Sequence, residues 1–286
     1  MKKIIYFFVV FFLIYGLVEV SKKIFPFLLN DLFKINSAKK YTYNTEKALL
    51  KKCKIQKIDY IPDDSIAVIG HAYGSWEKSD DKSFISEKVE VFLNNNSNFL
   101  SKVIFTGDVF KVPSIAKWKK LNNTYNNKVE IYIAPGNHDF YKPISRIYFF
   151  LSPFGFSKFP IILNFKNKHI VVEDSITNQW QVNNQTVELI NSLKKNNIII
   201  TRHNVPITEL IDYSNSLEGM SNELKSYNFL KNKIPFKKVT WLIGDGMSLN
   251  CFEKDNHRFI VNGVSGLKKD TILIINKTEV YHYSID

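Results

Sequence analysis

The chain has 286 residues, 45% of them hydrophobic and 14% aromatic, enough apolar surface for one large domain or two small ones with a substantial core. Its formal charge of +12 comes from 39 Lys and Arg against 27 Asp and Glu, and the lysines are scattered among asparagines. Scattered lysine reads as a solvated surface, so specific nucleic-acid binding is not expected; a mild attraction to anionic membranes or phosphorylated substrates is compatible with it. Two cysteines, Cys53 and Cys251, are too few for a disulfide framework, and neither sits in a Cys-x-x-Cys pair of the zinc or redox type. They read as two ordinary thiols, since a bridge between them would require an oxidising compartment.

Behind Lys2 and Lys3, the stretch Ile4 to Val18 carries no charge over 15 residues. That is short of the roughly 17 to 25 residues that span a bilayer and within the length of a signal-peptide core. The positions around Gly16 to Ser21 hold Leu, Val and Glu where cleavage wants small residues, so residues 1–23 are expected to form an uncleaved signal anchor. Lys22 and Lys23 balance Lys2 and Lys3, leaving the orientation open on charge; an extracytoplasmic domain on a single-pass anchor is the expectation. The apolar segment Ile24 to Phe33 either lies along the membrane interface or packs on the domain. Residues 24–64 read as a juxtamembrane linker with a short helix near Asn44 to Lys52, and residues 65–286 as the catalytic domain.

Within that domain, short β-branched and aromatic runs end in clusters of Gly, Asp, Asn or His: Ile66 to Gly70, Lys102 to Gly107, Val129 to Gly136, His169 to Asp174, Asn197 to Thr201 and Val239 to Gly244. Near-continuous apolar runs of this length predict strands buried on both faces. Helical patterns at Phe84 to Leu93, Ser114 to Tyr125 and Gln185 to Lys195 fall between them, so strand and helix alternate. The final stretch, from His257 onward, reads as consecutive strands. The expected architecture is α/β, a sandwich of mixed sheets covered by helices. Lys142 to Phe165, rich in Phe and Pro, reads as an ordinary hydrophobic excursion, with a lid or a membrane-facing loop as the alternatives.

Ligands of open α/β sheets bind beyond the carboxyl ends of the strands. Five such ends deliver, in order, His71, Asp108, Asn137 with His138 and Asp139, His203, and Asp245. These oxygen and imidazole donors suit Zn, Mn or Fe, and the adjoining glycines let the backbone turn tightly. Taken singly, an Asp after a strand is as readily a cap or turn former, and His169, His257 and His282 read as surface or satisfied core residues.

Together, Gly107-Asp108, Gly136-Asn137-His138-Asp139 and His203 resemble the calcineurin-like metallophosphoesterase superfamily. Its ordered signature is Asp-x-His, Gly-Asp, Gly-Asn-His-Asp or Glu, a His, then Gly-His-x-His. The resemblance implies an αββα sandwich and one or two divalent ions (Mn, Fe or Zn) per chain. It implies that Asp108 bridges two metals and that Asn137 and His203 hold the second of them. His138 would then stabilise the transition state or protonate the leaving oxygen, with Asp139 orienting it. Arg202 would offer a positive donor to a phosphoryl oxygen, unless it is a structural arginine.

Two motifs depart from the signature. His71-Ala72-Tyr73 stands for Asp-x-His, and Gly244-Asp245-Gly246-Met247 for Gly-His-x-His. His71 and Asp245 are still metal ligands by type. Tyr73, a candidate phenolate ligand, and Met247 are the losses, and they weaken the first metal site. The expected function is hydrolysis of a phosphate mono- or diester near a membrane. The rival is a catalytically weakened scaffold or binding protein, and a third reading is hydrolysis of a non-phosphate bond. Trp76 and Trp118 read as packing residues.

Overall fold

The structure is a computed structural model that describes residues 50–286 except 78, 80–82, 141–142, 156–157, 195–196, 215–223, 267–268, 278 and 286. Its strands, in chain order, are β1 (Lys51–Lys52), β2 (Lys57–Ile58), β3 (Ser65–Ile69), β4 (Leu100–Phe105), β5 (Glu130–Ile133), β6 (Ile161–Phe165) and β7 (Lys168–Val172). There follow β8 (Asn197–Arg202), β9 (Lys238–Ile243), β10 (Asn250–Lys254), β11 (His257–Val261), β12 (Thr271–Ile275) and β13 (Val280–Ser284). They build two mixed sheets, one ordered β1-β10-β11-β9-β8-β7-β6 and the other β2-β13-β12-β3-β4-β5.

Strand periodicity divides each apolar run between two cores. Ile66 and Val68 of β3 and Ile104 of β4 face Ile170, Val172, Ile199, Leu242 and Ile260 of the other sheet. Their neighbours one residue along, Ala67, Ile69, Val103 and Phe105, point the opposite way and pack with Val89, Phe92, Trp118 and Leu121. Those four belong to helices α1 (Glu87–Asn96) and α2 (Ile115–Tyr125). On the far side of the larger sheet, Ile198, Ile200, Trp241 and Phe259 pack with Ile190, Tyr227 and Leu230. Alternate residues of one continuous hydrophobic run thus fill both the inter-sheet layer and a helix layer, the four-layer order expected from the sequence.

The helices start where short polar side chains take the first free N–H groups. Ser86 Oγ accepts from Val89 N at 3.4 Å and Ser114 Oγ from Lys117 N at 3.2 Å. The parallel strands β3, β4 and β5 run side by side, as do β7, β8, β9 and β11. Their carboxyl ends therefore gather at common edges, where the polar clusters sit.

Several expectations are corrected. Residues 51–64, read as linker, supply β1 and β2, which extend both sheets; Lys51–Lys52 is strand rather than the end of a helix. The strands Ile161–Phe165 and Asn250–Lys254 went unread, because exposed residues interrupt both runs. The segment from Lys142 onward contributes the helix Pro143–Phe150, whose Phe149 packs edge-on against Trp118, and then β6, so its aromatics serve the core. Cys53 and Cys251, read as thiols, are joined by a disulfide beside the β1–β10 edge. Among the described residues no helix is long and apolar enough to cross a membrane. The expected anchor at 1–23 lies outside the described residues.

The disulfide closes a sequence separation of 198 residues. Disulfides typically contribute about 2–4 kcal/mol to stability. The Cys53→Ser/Cys251→Ser double variant should lower the unfolding free energy by about that amount in non-reducing urea titrations. An unchanged midpoint would mean that the bond adds nothing.

Candidate metal centre

The two sheets meet at their carboxyl ends through glycine. A Cβ on Gly244, after β9, would fall 1.9 Å from the Thr106 carbonyl oxygen, after β4. A Cβ on Gly107 would meet His203 Nδ1 at 2.5 Å, and Gly107 has φ +83°, a left-handed conformation that suits glycine. Two side chains at this junction adopt that conformation without being glycine: His71 at φ +50° and Asp108 at φ +55°. Such backbone is sparsely populated and concentrates at functional sites.

Asp108, 1% exposed, is the hub. Its Oδ1 accepts the His138 backbone N–H at 2.9 Å and lies 3.4 Å from His203 Nε2. Its Oδ2 lies 3.4 Å from His71 Nε2 and 3.9 Å from His138 Nε2. Asp245 Oδ1 approaches His71 Nε2 at 3.6 Å and His203 Nε2 at 3.9 Å. Asn137 Oδ1 lies 2.8 Å from His203 Nε2. His71, Asp108 and His203 each offer one ligand atom, and these atoms lie within 4.8 Å of one another. The expected residues His71, Asp108, Asn137, His203 and Asp245 are thus brought together.

The donor set fits a metal. His203 Nδ1 is 2.8 Å from the Thr106 carbonyl; donation there places the proton on Nδ1 and leaves Nε2 as a lone pair. That lone pair faces the Asp108, Asp245 and Asn137 oxygens, which are acceptors too. Among the described residues His71 Nε2 is buried without a well-formed hydrogen bond, its nearest acceptors being Asp108 Oδ2 at 3.4 Å and Asp245 Oδ1 at 3.6 Å. Burial works against ionisation of Asp245, but His203, His71 and Ser214 together hold its carboxyl well below the usual range. Burial also opposes charging of His71, yet Asp245 and Asp108 raise its pKa above the ordinary imidazole value.

Asp139 sits elsewhere in the cluster. Its carboxylate accepts backbone N–H groups from Asp108 at 2.9 Å, Val109 at 3.2 Å and Gly136 at 2.9 Å, pinning the two strand-end loops together. Burial and the Asp108 charge push its pKa up to about 8. His138 Nδ1 is instead 3.3 Å from the Lys111 carbonyl, a neighbour that the sequence does not announce. Asn204 and Ser214, also unanticipated, donate to Asp245 Oδ2, Asn204 at 3.1 Å. Only the position of Asn204 directly after His203 could have signalled its part.

Arg202 departs from expectation. It is completely buried; its guanidinium donates to Glu173 at 2.7 Å, to the Asn204 carbonyl at 2.7 Å and to the Trp180 carbonyl. These bonds make it a structural arginine inside the fold, not a donor to substrate. Tyr73 is buried, with its ring 5.4 Å from both His71 and His138. Burial and the charges of Asp108, Asp245 and Asp139 drive its pKa upward, which disfavours the phenolate form. Met247 is half exposed. Trp118 is a core residue as expected, whereas Trp76 is 51% exposed beside His138.

Over residues 85–263 the chain matches the family described as calcineurin-like phosphoesterase, a span that contains the loops of Asp108, Asn137, His203 and Asp245. The chain belongs to the calcineurin-like phosphoesterase family. Solved structures similar to this phosphoesterase-family chain include a predicted phosphoesterase from Streptococcus pneumoniae TIGR4, at 11% identity and TM-score 0.35, covering 78% of this chain and 90% of that one. Phosphopantetheinyl hydrolase from Mycobacterium tuberculosis is similar at 10% identity and TM-score 0.44, covering 72% and 91%. GAP50, the anchor in the inner membrane complex of Plasmodium, is similar at 11% identity and TM-score 0.45, covering 78% and 88%. No curated protein sequence matches the chain.

A buried ion pair that loses one partner leaves an uncompensated charge, at a cost of about 3–5 kcal/mol. Arg202→Met should therefore destabilise the protein by that amount in urea titrations, and Arg202→Met/Glu173→Gln by less than the sum of the single changes. Full stability with lost turnover would return Arg202 to a substrate-facing role.

Proposed function

We propose that the protein is a membrane-tethered phosphoesterase that uses a divalent metal to hydrolyse a phosphate mono- or diester. The observation that supports this reading is the convergence of ligand-type side-chain atoms from His71, Asp108, Asn137, His203 and Asp245, with the Thr106 carbonyl setting the His203 tautomer. Those five residues would hold a Mn, Fe or Zn ion. When bound, the ion supplies positive charge against the phosphoryl oxygens and lowers the pKa of water from ~15.7 toward ~7.

The chain's own groups do the rest. His138 is held at its backbone N–H by Asp108 and at Nδ1 by the Lys111 carbonyl, so that Nε2 is the nitrogen that takes up a second proton, as imidazolium, and can pass it on. That nitrogen lies 3.9 Å from Asp108 Oδ2, at the edge of the ligand cluster, where it can protonate a departing ester oxygen. Asp139 acts through the backbone: its three N–H contacts hold the loop that presents Asn137 and His138.

The uncharged stretch Ile4 to Val18 supports a single-pass anchor, and the Cys53–Cys251 bridge supports an extracytoplasmic domain, since disulfides persist in oxidising compartments. A lipid-linked or cell-envelope phosphate at the membrane is the substrate class that this placement suits. One observation favours a second reading, a weakened scaffold. Tyr73 and Met247 occupy two positions where the family pattern has histidine, and Tyr73 is held toward its neutral form.

Metal analysis of the purified full chain separates the two. The enzyme reading expects at least one Mn, Fe or Zn per chain, lost in Asp108→Asn together with turnover. His138→Ala should keep the metal and lose about 10²–10⁴-fold in kcat on aryl phosphates. A protein free of all three metals that leaves aryl phosphates intact when each is added is the scaffold.

A further inference from the structure

We propose that Trp76, held by Lys111, forms a leaving-group subsite beside His138 that selects phosphoesters bearing an aromatic ring on the ester oxygen. The proposal rests on the phosphoesterase reading above. Three of the four tryptophans, Trp118, Trp180 and Trp241, are at most 1% exposed, whereas Trp76 is 51% exposed. A half-open indole on the surface is unremarkable alone; its surroundings set this one apart. Its ring centroid is 5.0 Å from that of His138. Lys111 Nζ lies 4.4 Å from the indole centroid, within cation–π range, and donates to the Trp76 carbonyl at 2.8 Å. The carbonyl of the same Lys111 faces His138 Nδ1 at 3.3 Å. One residue therefore fixes both the imidazole and the loop that carries the indole, and Trp76 is pre-organised without being buried.

The chemistry follows from where the leaving oxygen must be. A proton passed from His138 Nε2 reaches the ester oxygen while the O–P bond breaks, and the bonding pair leaves with that oxygen as a neutral alcohol or phenol. The substituent on the oxygen then lies within a ring's width of His138. Among the described residues two aromatic rings border the imidazole there. Tyr73, 5.4 Å away, is 5% exposed and closed to solvent, so of these two the accessible wall is Trp76. An indole face held in place binds a planar, electron-rich or neutral ring by offset stacking, at little entropic cost. A small aliphatic leaving group gains much less from the same wall. Phosphoesters of phenols share this chemistry.

The test reads binding rather than turnover. Benzylphosphonate and ethylphosphonate replace the ester oxygen of phenyl and methyl phosphate by a methylene, and neither can be hydrolysed at that position. Calorimetry on the manganese-loaded full chain should find benzylphosphonate bound about tenfold tighter, the scale of one aromatic stacking contact. In Trp76→Ala that ratio should fall to about one, and Trp76→Phe should retain most of it. Equal affinities in the unaltered protein, or a ratio unchanged by Trp76→Ala, overturns the subsite and makes Trp76 a plain surface residue. If aryl and alkyl phosphates are both left intact while the phosphonate ratio behaves as expected, the hydrolase reading falls and the aromatic subsite stands.

Discussion

The contact between Gly244 and Thr106 governs the rest of the molecule. Sheets packed face to face lie ~10 Å apart, a separation set by the side chains between them. At one end of this sandwich the side chains disappear and the backbones touch, so closely that a single Cβ on Gly244 would be 1.9 Å from the Thr106 carbonyl. Within each sheet the neighbouring strand ends are tied as well: His71 N–H donates to the Gly107 carbonyl at 3.2 Å and Asp245 N–H to the His203 carbonyl at 3.0 Å. The Thr106 carbonyl, from one sheet, orients the imidazole of His203, from the other. Polar side chains from five separate loops therefore reach one point on rigid supports.

Burying carboxylates at such a junction is costly, and each is compensated differently. Asp139 is surrounded by three backbone N–H groups and acts on the loops rather than on ligands. Asp245 keeps one oxygen for Asn204 and Ser214 and turns the other toward two histidines. Asp108 spends one backbone contact on His138 and is otherwise shared among imidazoles. Glu173, on the outer side of the same sheet, is met by a full guanidinium instead. Only Asp108 and Asp245 among these turn carboxylate oxygens toward more than one imidazole nitrogen. That separates a candidate ion site from a structural pair.

Most of the architecture was legible because the buried runs are continuous and end in Gly-polar clusters, as at Val68-Ile69-Gly70-His71 and Ile104-Phe105-Thr106-Gly107-Asp108. Strand ends announce a site in an α/β sheet, and all five delivered their residues to it. Illegible were features fixed by three-dimensional neighbours. Arg202 precedes a ligand and reads like a substrate clamp, yet its side chain points into the fold because Glu173, 29 residues earlier, lies beneath it. No local signal pairs Cys53 with Cys251, nor tells Trp76 apart from Trp118. Interrupted strands such as Asn250–Lys254 lose their period to exposed polar positions, whereas its pairing partner His257–Val261 stays apolar enough to be read.

The two altered motifs make more sense in space than in sequence. His71 stands where the family pattern has Asp, and Asp245 where it has His; the two side chains approach to 3.6 Å. Exchanging an imidazole and a carboxylate between adjacent positions keeps one of each in the cluster, so charge and donor type around Asp108 are conserved while the positions swap. The exchange also requires the new carboxylate to be supported, and Asn204 and Ser214 supply that support from the far side. Tyr73 has no such compensation: it is buried among Asp108, Asp245 and Asp139, whose charges drive its pKa upward. Its phenol fills volume near His71 and His138.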